Sequence, residues 1–422
     1  MTTATSFDAV IVGAGPAGAS AAILLARAGW SVALVERQRY PRRKVCGECI
    51  AASNLPLLDA LGIGDAFAAA AGAELRRVAL MRGAQTLVAP LPAATGAAQP
   101  WGRALGREVL DTLLVEQARR EGATVLQPWA LHAIEGSPGA FRCVVLSVDA
   151  GSLAAGAPAR RELAAPLVVA AHGSWEALPF ERAERRAQRR PSDLFAFKAN
   201  FRDAKIAPDL LPVLAFDGGY GGMVIADAGL ATLACCIRED RLDACRAAEP
   251  GARAGDVVER YLTREVRGVA EALAGASREG SWLASGPIRP GMRLPRGGGG
   301  DVFLIGNAAG EAHPIIGEGI SMALQSACLL AALLGPERAA IVDVERSASV
   351  QRRLLRAHAA TWRRSFSLRL HVAAAFAHVA MRPRATAALW PLASAWPAVL
   401  TSGARWSGKT RAVAAAAPAI GT

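Results

Sequence analysis

A chain of 422 residues with 52% hydrophobic content has enough apolar side chains for one large or two modest cores, which excludes a disordered protein. Its formal charge of +12 is almost wholly arginine, with lysines only at Lys44, Lys198, Lys205 and Lys409. No compact basic block with interleaved aromatics appears, so the excess reads as a solvated face and nucleic acid is not an expected partner. Seven cysteines, an odd number with Cys235 and Cys236 adjacent, exclude a disulfide framework. They point to a reducing compartment. The start MTTATSFD lacks a basic and apolar leader pattern, and no uninterrupted apolar run reaches the ~18 residues of a spanning helix. Both observations lead to the expectation of a cytoplasmic protein.

From Phe7 to Glu36 the chain reads strand, glycine turn, helix, strand. The run Ala9 to Val12 is short, β-branched and uncharged, as expected of a parallel strand buried on both faces. Gly13 permits the tight turn, Gly15 lets a pyrophosphate approach the backbone, and Gly18 lets the helix pack on the strand. Pro16 and Ala17 open that helix, whose free N–H groups and positive dipole end suit phosphate. It closes at Gly29. A second strand, Ser31 to Val35, leads to Glu36, at the ~20-residue offset where an acid accepts from a ribose diol and disfavours a 2′-phosphate. Arg37 follows at the same edge. This unit alone suits NAD or FAD.

Beyond it, RQRYPRRKVCGECI reads as a basic, proline-containing loop near the nucleotide, with a helix starting near Ser53. Cys46 and Cys49 form a CxxC, but no second pair or histidine cluster completes a zinc site and no thioredoxin context surrounds it. No metal is expected. KVCGE after a dinucleotide βαβ unit resembles the segment of the geranylgeranyl reductase-like flavoproteins, relatives of the p-hydroxybenzoate hydroxylase group. The resemblance implies that the loop of Cys46 and Gly47 lies close to an isoalloxazine ring.

Glu74 to Met81 and Gln85 to Ala89 read as a hairpin of a second domain, turning at Arg82-Gly83. GREVLDTLLVEQARREG has a helical apolar period ending at Gly122, and it resembles the family's R-x-x-x-D helix. That likeness puts Arg107 beside the cofactor and Asp111 one turn on. Runs from Phe141 to Val148 and Leu163 to Ala171 read as strands, the latter ending in AHGSWE. His172 stands where relatives have aspartate, which puts in doubt a role of this loop toward a pyridine nucleotide. From Pro191 to about Ser285 short alternating strands precede one long helix over 257–274, the pattern of an inserted antiparallel sheet. Its GGYGGMV segment resembles the family's substrate-facing strand without the aromatic and Phe-Pro continuation, and marks Tyr220 and Gly221 as cavity-wall residues.

The segment DVFLIGNAAGEAHPIIGEGI resembles the family's second cofactor element over its full length and selects FAD over NAD. By that likeness Gly306, Asn307 and Ala308 form the turn at the ribityl chain. Gly317, Gly319 and Ile320 begin a helix facing the flavin pyrimidine edge, and Pro314 borders the substrate. Asn307 replaces an aspartate; it still accepts from a hydroxyl but brings no charge. The last segment carries arginine faces against apolar faces. It suits a helix covering the substrate cavity, preferred here, or one making peripheral contact with a membrane.

The expected fold is α/β: a Rossmann-like FAD-binding domain (1–73, 104–187 and 286–340), an inserted antiparallel-sheet substrate domain (74–103 and 188–285), and C-terminal helices (341–422). The resemblance implies an FAD-dependent oxidoreductase acting on an apolar prenyl, polyketide or aromatic small molecule, with NAD(P)H as the expected electron donor. C=C reduction stands slightly ahead of hydroxylation. The halogenase tryptophan motif and an iron–sulfur cysteine cluster are absent. A non-catalytic flavin-binding module is the reading of another class.

Overall fold

The structure, a computed structural model, describes residues 4–95, 98–149, 159–174, 189–295 and 300–406. The expected boundary at 187/188, Trp175 and Glu176 of AHGSWE, and Lys409 lie outside the described residues.

Five parallel strands form the first sheet, in the order Phe303–Leu304, Leu167–Ala170, Ala9–Val12, Val32–Val35, Thr124–Leu126. Alternation of side chains decides what each face meets. Ala9, Ile11, Val32, Leu34, Leu167 and Val169 join the helices Pro16–Arg27, Arg107–Arg120 and Gly319–Leu334 in one core. Val10, Val12, Ala33, Val35, Val168 and Ala170 pack on a second sheet of Trp129–Ser137, Ala140–Ser147, Arg160–Ala165 and Thr5–Ser6. With both faces covered, these strands have no polar face to show, hence their uniformly apolar sequence.

A seven-stranded sheet forms the second body, in the order Ser277–Ile288, Leu194–Arg202, Ala231–Arg238, Gly219–Ile225, Leu210–Phe216, Arg77–Arg82, Gln85–Pro90. Every pairing is antiparallel except Leu210–Phe216 on Arg77–Arg82, where two separate chain segments meet in parallel. One face is covered by helices carrying Val258, Tyr261, Leu262 and Val269. The other, with Ala196, Ala215, Tyr220 and Cys236, faces Ala377 and Ala380 of a 37-residue helix, Val344–Ala380.

Four local expectations need correction. The helix over 257–274 is two, Ala254–Glu265 and Arg267–Leu273, because Val266 is extended and bridges Gly83 of the hairpin turn. The run Leu163 to Ala171 divides at Pro166, which lacks the N–H to continue a ladder, and its halves belong to different sheets. The hairpin begins at Arg77 instead of Glu74. The helix expected from Gly317 starts at Gly319, with Gly317 in a left-handed turn (φ 65°).

The long C-terminal helix begins at Asp343, whose carboxylate accepts from the N–H groups of Glu345 and Arg346. Its buried residues recur at helical spacing, among them Leu355, Trp362, Phe366, Arg369 and Ala373. Trp362 and the N–H of Gly306 both donate to Ser326 Oγ, at 3.0 and 3.1 Å, so this helix supports the turn before Asn307. Among the described residues one helical stretch, Gly319–Val342, is long and apolar enough to cross a membrane, and 67% of its apolar window is buried in the core.

Candidate flavin and substrate cavity

One cavity of about 1300 Å³ runs from the glycine turn to the C-terminal helices. At its first end Gly13 adopts φ 100°, and a Cβ there would sit 2.5 Å from the carbonyl oxygen of Ala171. A Cβ on Gly18 would meet the Gly13 oxygen at 1.8 Å, so this residue packs helix against turn. Gly15 differs. A Cβ there would enter the cavity at ordinary distance from two guanidinium nitrogens, 3.7 Å from Arg107 and 3.9 Å from Arg42.

Arg107 makes a bidentate pair with Asp111, both contacts 2.7 Å, inside the protein. Burial opposes the charge on Arg107, but Asp111 outweighs it and raises the guanidinium above its ordinary range. Arg42 lies 3.6 Å from Glu36 and 3.6 Å from Asp111, and donates to Tyr40 Oη at 2.9 Å. Tyr40 in turn donates to the Ala14 carbonyl at 2.7 Å. Lys44 also lines this end, its ammonium pushed down to about 8 by burial and then by Arg42 and Arg107. Three cations, two of them held by Asp111 and Glu36, beside an open glycine and a helix N-terminus are a set that suits a pyrophosphate. Glu36 is buried, accepting from the N–H of Ala14 and of Gln38, both at 2.9 Å.

Of the residues singled out by sequence, Gly13, Gly15, Pro16, Ala17, Glu36, Arg37, Cys46, Gly47, Arg107, Gly306, Asn307, Gly317, Gly319 and Ile320 all line this cavity. So do Tyr220, Gly221 and Pro314. Gly18 and Ala308 are buried behind the wall. Asn307 donates from Nδ2 to Glu311 at 3.0 Å, leaving Oδ1 as its acceptor. Glu311 also accepts from Ser174 at 3.0 Å and from Arg293 at 3.1 Å. These residues fit a dinucleotide cradle joined to a flavin-sized chamber.

Opposite, the sheet contributes Ala196, Ala215, Tyr220, Met223, Cys235 and Cys236. Burial and then Cys236 raise the Tyr220 hydroxyl well above its ordinary pKa, and burial pushes Cys236 up to about 12. That part of the wall is therefore uncharged at neutral pH. Tyr220 Oη lies 3.1 Å from His313 Nδ1. Burial, then His378, lowers His313 to about 4, so the ring beside the tyrosine hydroxyl is neutral at pH 7. A depressed histidine pKa contributes stability that is present above the ordinary value of about 6.5 and is lost as pH falls toward 4. Replacing His313 with Gln should remove up to about 2 kcal/mol of the stability change between pH 7 and pH 5. Urea unfolding at the two pH values checks this; an unchanged pH response in the variant refutes it.

Two features escaped sequence reading. Arg42 and Lys44 sat within an unremarkable basic run. Glu48 (φ 60°) lines the cavity, with its carboxylate buried against Lys198, Thr232 and the N–H of Arg107. Lys198 is one of only four lysines in the chain and lies mid-strand, a signal that was available.

Residues 6–209, just under half of the chain, match the family described as FAD binding domain. Curated relatives align over a short segment. One is the menaquinone reductase of Mycobacterium tuberculosis (strain CDC 1551 / Oshkosh), 44% identical over 59 residues, 14% of each chain. Another is the 6-methylpretetramide 4-monooxygenase of Streptomyces rimosus, 46% identical over 56 residues, 13% of each. The match thus spans about a seventh of these relatives' length. Among solved structures, the flavin-dependent brominase Bmp2 is 17% identical, with 99% of this chain and 97% of that one covered at a TM-score of 0.71. A geranylgeranyl bacteriochlorophyll reductase-like protein from Thermoplasma acidophilum is 15% identical, covering 96% and 100% at a TM-score of 0.67. At such identities the likeness is one of fold.

Proposed function

On the premise that residues 6–209 form an FAD-binding domain, we propose that this protein is an FAD-dependent oxidoreductase of an apolar prenyl, polyketide or aromatic small molecule. The observation that carries the reading is the continuity of the cavity. One space joins the phosphate cradle at Gly15 to an uncharged wall of Tyr220, Met223, Cys235 and Cys236 and to apolar side chains of the C-terminal helices. Its volume of about 1300 Å³ exceeds the range of roughly 300–1,000 Å³ usual for one small ligand, in keeping with a cofactor and a substrate together.

FAD supplies hydride and electron transfer when bound. In this reading Arg42, Lys44 and Arg107 hold the pyrophosphate, and Glu36 accepts from the adenosine ribose. Asn307 accepts from the ribityl chain, and the helix opening at Gly319-Ile320 turns its N–H groups to the pyrimidine edge. Cys46 and Gly47 border the ring. Tyr220, held by His313, with Gly221 and Pro314, bounds the substrate. Val372, Phe376 and Trp390 cover it and exclude water.

NAD(P)H is the proposed donor, and reduction of a C=C bond is placed slightly ahead of hydroxylation because KVCGE and GEGI resemble the reductase branch. Hydroxylation is the second reading, favoured by the likeness to a monooxygenase in the aligned segment. The test begins with the absorption spectrum and the flavin released on denaturation; a colourless protein that takes up no FAD overturns the proposal. The reduced holoprotein is then mixed anaerobically with a panel of unsaturated prenyl and aromatic compounds. Reoxidation with loss of a double bond is the expected result. Turnover only with oxygen, with label from O₂ in the product, overturns reduction in favour of hydroxylation. No turnover with any reductant overturns both in favour of a binding module.

A further inference from the structure

The excess positive charge is not spread over the molecule. The chain has 48 basic and 36 acidic residues, and beyond Glu345 come twelve Arg and Lys with no Asp or Glu, so residues 1–345 balance at 36 of each. Only Arg369 among these arginines lies fully buried in the described part; Arg364, Arg382, Arg384 and Arg405 are exposed.

The same segment presents apolar side chains to solvent. Helix Pro383–Ala395 has no buried residue. Leu389 is 48% exposed, Leu392 50%, Trp396 67% and, in the next helix Ala398–Trp406, Val399 46%. Leu389 and Leu392 lie three residues apart on the first of these helices, and Trp396 stands at its C-cap. Arg382 and Arg384 flank its start, Arg405 closes the helix after it, and the guanidinium of Arg82 lies 5.8 Å from the Trp390 ring. Leu389, Leu392 and Val399 also line the cavity, so part of their accessible surface faces its interior, whereas Trp396 lies outside the lining.

We propose that the helices Pro383–Ala395 and Ala398–Trp406, which carry part of the cavity wall, dock on an anionic lipid bilayer. Exposed Leu, Val and Trp beside arginines with no neighbouring acid in sequence match an interfacial helix pair, whose apolar face enters the acyl boundary while cations meet lipid phosphates. A nucleic acid would be met by the cations alone and would leave the leucines and Trp396 without a role. Delivery of a lipid-dissolved substrate rests on the function proposed above; the docking does not.

The test is co-sedimentation of the full chain with vesicles of phosphatidylcholine containing about 30 mol% phosphatidylglycerol, against phosphatidylcholine alone, from about 0.1 to about 0.5 M NaCl. Binding to the anionic vesicles only, weakened by salt, is expected. In Arg382→Gln/Arg384→Gln/Arg405→Gln the partition should fall on the order of 100-fold. Leu392→Ser/Trp396→Ser should weaken binding and abolish a blue shift of tryptophan emission on adding vesicles. All substituted positions are solvent-exposed, and circular dichroism melting verifies folding. Equal binding to both vesicle types, undiminished binding of the arginine variant, or stronger retention by a DNA duplex overturns the proposal. Vesicle binding by a protein that takes up no FAD would leave docking in place and sink the flavin reading instead.

Discussion

Gly15→Val is expected to fold and to be isolated without FAD. A branched side chain at this position enters the space between the turn and the guanidinium groups of Arg42 and Arg107, where a Cβ meets no backbone atom within 4 Å. Nothing in the protein resists it, but a pyrophosphate can no longer reach the helix N-terminus. The loss should be on the order of 100-fold or more in affinity, about 3 kcal/mol. The neighbouring glycines set the contrast. A side chain at Gly18 collides with the Gly13 carbonyl oxygen at 1.8 Å, and one at Gly13 with backbone at 2.5 Å in a left-handed conformation, so those variants should fail to fold. FAD titration of the refolded chain, with circular dichroism melting, separates the two outcomes. Stoichiometric FAD in Gly15→Val would show that the cradle lies elsewhere.

The second large effect is expected at Lys198. Its ammonium and the Glu48 carboxylate are both buried, and Glu48 also accepts from Thr232 and from the N–H of Arg107. The pair ties the loop of Cys46 and Gly47 to strands Leu194–Arg202 and Ala231–Arg238, and so joins the two sheets across the cavity. Lys198→Met strands a carboxylate away from water and should cost about 3–5 kcal/mol. Glu48→Gln/Lys198→Met removes both charges, keeps an amide to accept from Thr232, and should recover most of that loss. Urea unfolding of the single and double variants measures the coupling. A cost under about 1 kcal/mol for Lys198→Met, or a double variant worse than the single, would refute the buried pair.

The segments read most securely from sequence are those in which local chemistry answers to one partner. The stretch from Ala9 to Glu36 states its structure in adjacent residues: an uncharged strand, glycines where the backbone turns, a proline at the first helical position, an acid after the second strand. Each of these acts within a few residues of itself, and spacing alone placed it. Asn307 and the glycines around it were legible only through their resemblance to the family's second cofactor element. Arg42 was not, because a guanidinium four residues from Gln38 in a basic loop has no local sign that it will sit 3.6 Å from both Glu36 and Asp111.

What the tertiary structure decided are the meetings of residues far apart in the chain. Glu48 and Lys198 are 150 positions apart, Tyr220 and His313 are 93, and no periodicity links either pair. The break at Val266 follows from its bridge to Gly83, and the division at Pro166 from two sheets claiming the two halves of one apolar run. By itself the sequence determined a βαβ dinucleotide unit and an alternating sheet, because backbone freedom and side-chain period are local properties. Folding decided which charges meet and where the cavity opens, because burial and Coulomb energy depend on distance in space and not along the chain.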